Sequence, residues 1–205
     1  MIERLEPFVR PERAARLREV IDARLGSVTV LMDAPHDPHN AAAVLRTCDA
    51  FGIPELHVIP RVEELLLART VAKGTERWVD IVVHPTVPGA VTALTAQEFT
   101  LVATHPEGRL MPEDLAGLPR VALVLGNERD GLCEQLSAAA SESVRVPMRG
   151  FVESLNVSVA AAILLAAATR GRPGDLPLTD RQLLYARGLF HSIPRARDIL
   201  AASRV

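Results

Sequence analysis

Lysine is nearly absent: Lys73 is the only one among 23 basic residues, a bias of composition from which no function is read. Cysteine is scarce too. Cys48 and Cys133 lie far apart and form no metal-ligand spacing, so they read as small buried hydrophobes of a reducing compartment. Long apolar runs are missing as well; the run 157–168 has 12 residues, against the ~20 that a bilayer requires. The first residues carry no basic-plus-apolar leader, and the expectation is a cytoplasmic protein without membrane contact. No G-x-G-x-x-G and no G-x-x-x-x-G-K-[ST] occurs, which argues against an ordinary dinucleotide site or a P-loop. Any cofactor must be held in another way.

The 205 residues are 48% hydrophobic and 23% charged, the profile of one medium globular domain with short extensions. Net charge is −2 and unevenly spread. Residues 170–205 hold seven arginines against three aspartates, and residues 1–25 six arginines against five acids, so the acidic excess lies between them. Basic ends on an acidic body suit extensions that touch phosphate; a solvated helix surface is the competing account.

Apolar spacing of Ala14, Leu17, Ile21 and Leu25 predicts a helix over 11–25 opened by Pro11. Short β-branched or apolar runs at 28–32, 55–59, 79–83, 100–104 and 121–125 predict strands, with a further β-type run ending at Val146. Helices are expected over 41–51, 62–70, 87–97, 132–140 and 157–168, then 180–190 and 195–203 beyond a Pro/Gly-rich linker. Strands alternating with helices predict an α/β fold with a parallel, doubly wound sheet. In such sheets ligands bind beyond the carboxyl ends of the strands. Three such ends carry Thr104-His105-Pro106, Gly126-Asn127-Glu128 and Pro147-Met148-Arg149-Gly150. Gly126 permits close backbone approach.

Asn40 reads as the N-cap of the helix over 41–51, and Arg46 falls off that helix's apolar stripe, free to face solvent or a partner. Ser154 and Asn156 stand before the apolar run 157–168, where they can cap a buried helix or face a ligand. The histidines of His36-Asp37-Pro38-His39 sit on a proline-shaped loop without cysteines, and no metal site is assigned there.

Three stretches together carry a resemblance: Asn40-AAAVL-Arg46-Thr47, LVLGNERDGL, and PMRGFVESLNVSVA, in that order across about residues 28–169. They resemble the three motifs of the SpoU branch of the SPOUT ribose methyltransferases, and HDPHNAAAVLRTCDAFG is most similar to the TrmH type. What the resemblance implies is an S-adenosylmethionine-dependent enzyme that methylates the ribose 2′-hydroxyl of guanosine 18 in the tRNA D-loop. The same chemistry on ribosomal RNA or another tRNA position, and a noncatalytic RNA-binding protein, stay open.

The resemblance further implies a trefoil knot over about 121–169 within a methyltransferase domain over 27–169, flanked by helical extensions over 1–26 and 170–205, and a homodimer that completes the site. Thr104, Gly126, Val146, Met148 and Leu155 then fall on the cofactor, and Arg46, Asn40, Glu128, Ser154 and Asn156 on catalysis and RNA. One departure is Asp37, where the TrmH type usually has Lys. The stretch 73–78 matches only loosely, and Arg77 receives no role.

Overall fold

The computed structural model describes residues 1–60, 77–127 and 129–202. The chain divides into two units, Met1–Gly26 with Pro173–Val205, and Ser27–Arg172. The smaller begins with α1 (Ile2–Leu5) and α2 (Pro11–Asp22). The larger then runs β1 (Val28–Asp33), α3 (Pro38–Ala50), β2 (Glu55–Ile59), β3 (Asp80–Val83), α4 (Val87–Thr95), β4 (Thr100–Thr104), β5 (Val121–Leu125), α5 (Glu134–Ala139), β6 (Glu142–Val144) and α6 (Val157–Ala168). α7 (Leu178–Ser192) and α8 (Ala196–Ala202) return to the smaller unit. The helix expected over 62–70 and the stretch 73–76 lie outside the described residues.

In the smaller unit α2 buries Ala14, Leu17 and Ile21, as its spacing requires, but ends at Asp22; Leu25 is buried beyond the helix. The Tyr185 hydroxyl donates to the Glu6 carboxylate at 2.8 Å, and Arg18 stacks on the Tyr185 ring. No helix among the described residues is long and apolar enough to cross a membrane.

The larger unit is an α/β layer structure. Its six strands are all parallel, in the order β3-β2-β1-β5-β4-β6. β1 and β5 are buried at every position and lie in the middle, which is why β5 is a continuous apolar run and β1 is apolar except at Thr29 and Asp33. Val30 stands beside Leu56 on one neighbour and Leu123 on the other. The strands' alternate residues serve two faces. Leu31, Leu101, Ala122 and Val124 meet Ala90 and Leu94 of α4 and Leu136 of α5 on one face. On the other, α6 packs between α3 and the 3-10 turn Pro112–Gly117. Each fully buried leucine of this kind contributes roughly 2–3 kcal/mol.

β2 carries a polar exception. His57 stands in register with Leu31, only 2% exposed, and its Nδ1 lies 2.9 Å from Nε2 of His84, which is 8% exposed. Burial, and then the neighbouring His84, push the His57 pKa down to about 4, and burial lowers His84 as well. The Glu55 carboxylate, 3.6 Å from His57 Nε2, is half exposed and does not offset burial. Both rings are neutral in the fold at pH 7, while the unfolded chain takes up protons near pH 6.5. Because the folded pKa is the lower, this pair's stability is complete above about pH 6.5 and drains as the pH falls toward 4, by roughly 2–3 kcal/mol for His57. Urea midpoints at pH 7.5 and pH 5 check this: the wild-type loss should exceed that of His57→Gln, and equal losses would contradict it.

Candidate functional site at the carboxyl edge of the sheet

Because the strands are parallel, the ends of β1, β4, β5 and β6 open on one edge, and the loops leaving them are tied down by side chains. Thr104 ends β4 and donates its hydroxyl to the Val124 carbonyl of β5 at 3.0 Å. After β5 the chain folds back sharply. Asn127 Oδ1 accepts from the N–H groups of Arg129 and Asp130 at 2.9 and 2.8 Å, and Gly131 takes φ +70° to pair with Asn127. Gly126 sits inside this fold: a Cβ there would lie 2.5 Å from the Gly131 carbonyl carbon and 2.6 Å from the Leu132 nitrogen. The expected close approach is therefore backbone on backbone. Buried Asp33, at the end of β1, accepts from the Cys133 N–H at 2.7 Å and ties β1 to the head of α5. Burial pushes the Cys133 thiol up, so it is no thiolate nucleophile at neutral pH.

Two boundaries differ from expectation. The strand read as ending at Val146 is β6, which stops at Val144, because the Arg145 N–H turns to the Leu110 carbonyl and its guanidinium to the Gly108 carbonyl. Val146 and Met148 thus belong to the loop. At α3, Asn40 is not the N-cap. Asp37 is, its carboxylate accepting from the His39 N–H at 2.8 Å with Pro38 at the first helical position. Asp37 has a local role of its own, and Asn40, inside the first helical turn, makes a different contact.

That contact is Asn156. It caps α6, accepting from the Ser158 N–H at 2.8 Å, and its Nδ2 donates to Asn40 Oδ1 at 2.9 Å. Ser154 does not cap; it lies exposed in the loop before the helix. Between these loops is a cleft of about 600 Å³, within the usual range for small-molecule sites. Thr104, Gly126, Val146, Met148 and Leu155 all line it, as do Asn40, Ser154 and Asn156. Leu125, Leu132, Val144, Ala160 and Leu164 supply apolar wall, which suits a flat heterocycle held by loop backbone groups. Its charged lining, among the described residues, is Arg129 and Glu153.

Arg46 is not brought into this cleft. It is exposed on α3, six residues or roughly 9 Å along the helix from Asn40. Glu128 lies outside the described residues. Sequence reasoning missed Asp33, Asn127, Arg129 and Glu153. Asn127 had a signal, a short polar residue between Gly126 and Asp130-Gly131, the pattern of an Asx turn. Among the described residues, no group of three or more His, Cys, Asp or Glu is placed to hold a metal.

Comparison with known proteins follows the same residues. The profile of the SpoU rRNA methylase family matches residues 27–166. The tRNA (guanosine(18)-2′-O)-methyltransferase of Escherichia coli K12 is 33% identical over 188 residues, 87% of this chain and 82% of that protein. The enzyme of the same name from Thermus thermophilus is 37% identical over 166 residues, 78% of this chain and 83% of that one. The solved TrmH/SpoU tRNA modifying enzyme of Aquifex aeolicus superposes with a TM-score of 0.77 at 27% identity, covering 89% of this chain and 97% of that one. The SpoU methyltransferase AviRb of Streptomyces viridochromogenes, solved with the cofactor AdoMet, gives 0.65 at 26% identity over 74% and 60%.

The Gly126 geometry yields a direct test. Gly126→Ala puts a methyl against backbone that cannot yield without opening the loop, and should cost about 1–3 kcal/mol in urea unfolding. An unchanged midpoint would show that the loop is not closed as described.

Proposed function

The chain belongs to the SpoU rRNA methylase family, and from that premise we propose that it transfers a methyl group from S-adenosylmethionine to the ribose 2′-hydroxyl of guanosine 18 in tRNA. The observation that carries the chemistry is the single cleft in which Thr104, Gly126, Val146, Met148 and Leu155 meet Asn40 and Asn156. The choice of guanosine 18 rests on relatives 33% and 37% identical that bear this activity in their names. The family's own name favours a second reading, the same reaction on ribosomal RNA.

When bound, S-adenosylmethionine supplies a methyl group activated by a sulfonium. The chain's part is to hold and orient. Thr104, Gly126, Val146, Met148 and Leu155 would hold the cofactor's adenine along the loops that line the cleft. Asn40, Ser154 and Asn156 form the wall on the substrate side, and Glu128 is assigned to positioning RNA or neighbouring donors. Arg46 is read as an RNA phosphate clamp that orients the hydroxyl. It is assigned no proton-accepting role, since a guanidinium carries five N–H donors and no acceptor. The hydroxyl proton is left to phosphate or water.

The exposure of Arg46 outside its own cleft supports a homodimer in which the site is completed by a second copy. So does the outer face of α6, where Val159 and Ile163 are 46% and 38% exposed, with Phe151 and Val152 exposed before it. A trefoil knot over 121–169 is supported by the path of the chain, which leaves edge strand β6 and returns beside β5 and α3 as α6. Two free cysteines fit the reducing cytoplasm.

Labelled methyl should pass from S-adenosylmethionine to unmodified tRNA and not to tRNA with 2′-deoxyguanosine at position 18. Label only on ribosomal RNA would keep the chemistry and discard the site, and cofactor binding without transfer to either RNA would favour a noncatalytic RNA-binding protein. Arg46→Ala should lower transfer by roughly a hundredfold or more; retained activity would remove Arg46 from the mechanism. Light scattering at micromolar concentration should give twice the chain mass, and a monomer would count against the shared site.

A further inference from the structure

The cleft is lined by groups of two kinds. Leu125, Val144 and Leu164 are buried, whereas Arg129 and Glu153 are exposed. Arg129 stands on the turn after β5, where Asn127 Oδ1 fixes its backbone by accepting its N–H at 2.9 Å. Glu153 stands on the loop before α6. Among the described residues neither side chain has a hydrogen-bond or ion-pair partner, in the other or in a third group. His105, the remaining titratable side chain of the described lining, has its Nδ1 taken up by the Glu107 N–H at 3.1 Å. One cleft thus carries a cation and a carboxylate that do not neutralise each other.

We propose that these two side chains bind the amino-acid end of S-adenosylmethionine, Arg129 pairing with its α-carboxylate and Glu153 with its α-ammonium. The inference rests on the methyl-transfer reading and adds to it the residues that select the cofactor's tail. Adenine is flat and largely apolar, and the buried leucines and valine suit it. The tail carries one charge of each sign, and removing either from water without a partner costs binding. A guanidinium presents a planar fork of N–H donors that matches a carboxylate, while a carboxylate accepts from an ammonium and has nothing to donate to another carboxylate. The signs of the two residues therefore set which end of the zwitterion faces which loop. An RNA phosphate would also attract Arg129, but Glu153 in the same lining repels a polyanion and not a zwitterion.

Calorimetry with three thioethers tests this without turnover. S-adenosylhomocysteine carries the whole tail, its decarboxylated form keeps only the ammonium, and methylthioadenosine has neither charge. Arg129→Ala should weaken S-adenosylhomocysteine by roughly fivefold, leave methylthioadenosine within about twofold, and bind the decarboxylated form no more weakly than wild type does. Glu153→Gln should weaken both ligands that bear the ammonium by a similar factor and spare methylthioadenosine. Both positions are exposed, so the urea midpoints should stay at the wild-type value.

Either variant that holds S-adenosylhomocysteine within about twofold of wild type would overturn the assignment, as would equal losses on all three ligands. If Arg129→Ala kept that affinity and raised KM for tRNA instead, Arg129 would be an RNA contact. Wild-type protein that binds the three ligands alike would sink this inference and leave the cofactor reading standing. Wild-type protein that binds none of them would sink the cofactor reading, and this inference with it.

Discussion

Six strands running one way place every carboxyl end on one edge, and the larger unit depends on that constraint. Each connection must carry the chain back across a face before the next strand begins, so the loops leaving the carboxyl edge crowd together there. Such turns leave backbone N–H groups without strand or helix partners. The protein answers with side chains placed at the strand ends, Asp33 accepting from Cys133 and Asn127 from Arg129 and Asp130, while the Thr104 hydroxyl donates to the Val124 carbonyl. A neutral bond of this kind contributes about 1 kcal/mol, one to a carboxylate about 1.5–3. Their larger effect is on shape, since together they hold a cleft open between loops that hydrophobic burial alone would not define.

Fixing the loops also explains which residue types occur there. Gly126 and Gly108 both sit where a Cβ would run into backbone, of the Gly131–Leu132 turn and of Val144–Arg145 respectively. Both are required by the packing of the loops themselves. The contacts that remain for a ligand come mostly from apolar side chains and from amides, which are neutral and directional. An amide can be oriented by its neighbours without the cost of burying a charge. The charged lining residues, Arg129 and Glu153, stand on loops rather than on strands.

The fold was largely legible because parallel strands buried on both faces write themselves as apolar runs; β2, β4 and β5 begin and end where the pattern places them. Other features were less so. Asn40 and Asp37 are both short polar residues ahead of one apolar stripe, and Pro38 decides between them by taking the first helical position. β6 is an edge strand of three residues, and nothing in a β-type run reports where its neighbour stops pairing. His57 and His84 are 27 residues apart and become partners only once β2 and β3 lie side by side. The cleft residues were placed by strand ends joined to family resemblance. Periodicity alone would have named the edge and not the residues.

Arg46 and Asn40 stand on one helix but cannot share one task. Arg46 is a permanent cation exposed outside the cleft; Asn40 is a neutral amide within it, its carbonyl occupied by Asn156. On the proposed reading neither accepts a proton, the first because a guanidinium has donors and no acceptor, the second because a neutral amide is not a base and its carbonyl already accepts from Asn156. The barrier must then be lowered by position, with the hydroxyl aligned on the methyl and its proton aimed at water or phosphate. Such a mechanism puts the demand on the placement of groups around the cleft rather than on the acidity of any side chain, and an amide held by its neighbour, as Asn40 is by Asn156, is suited to meet it.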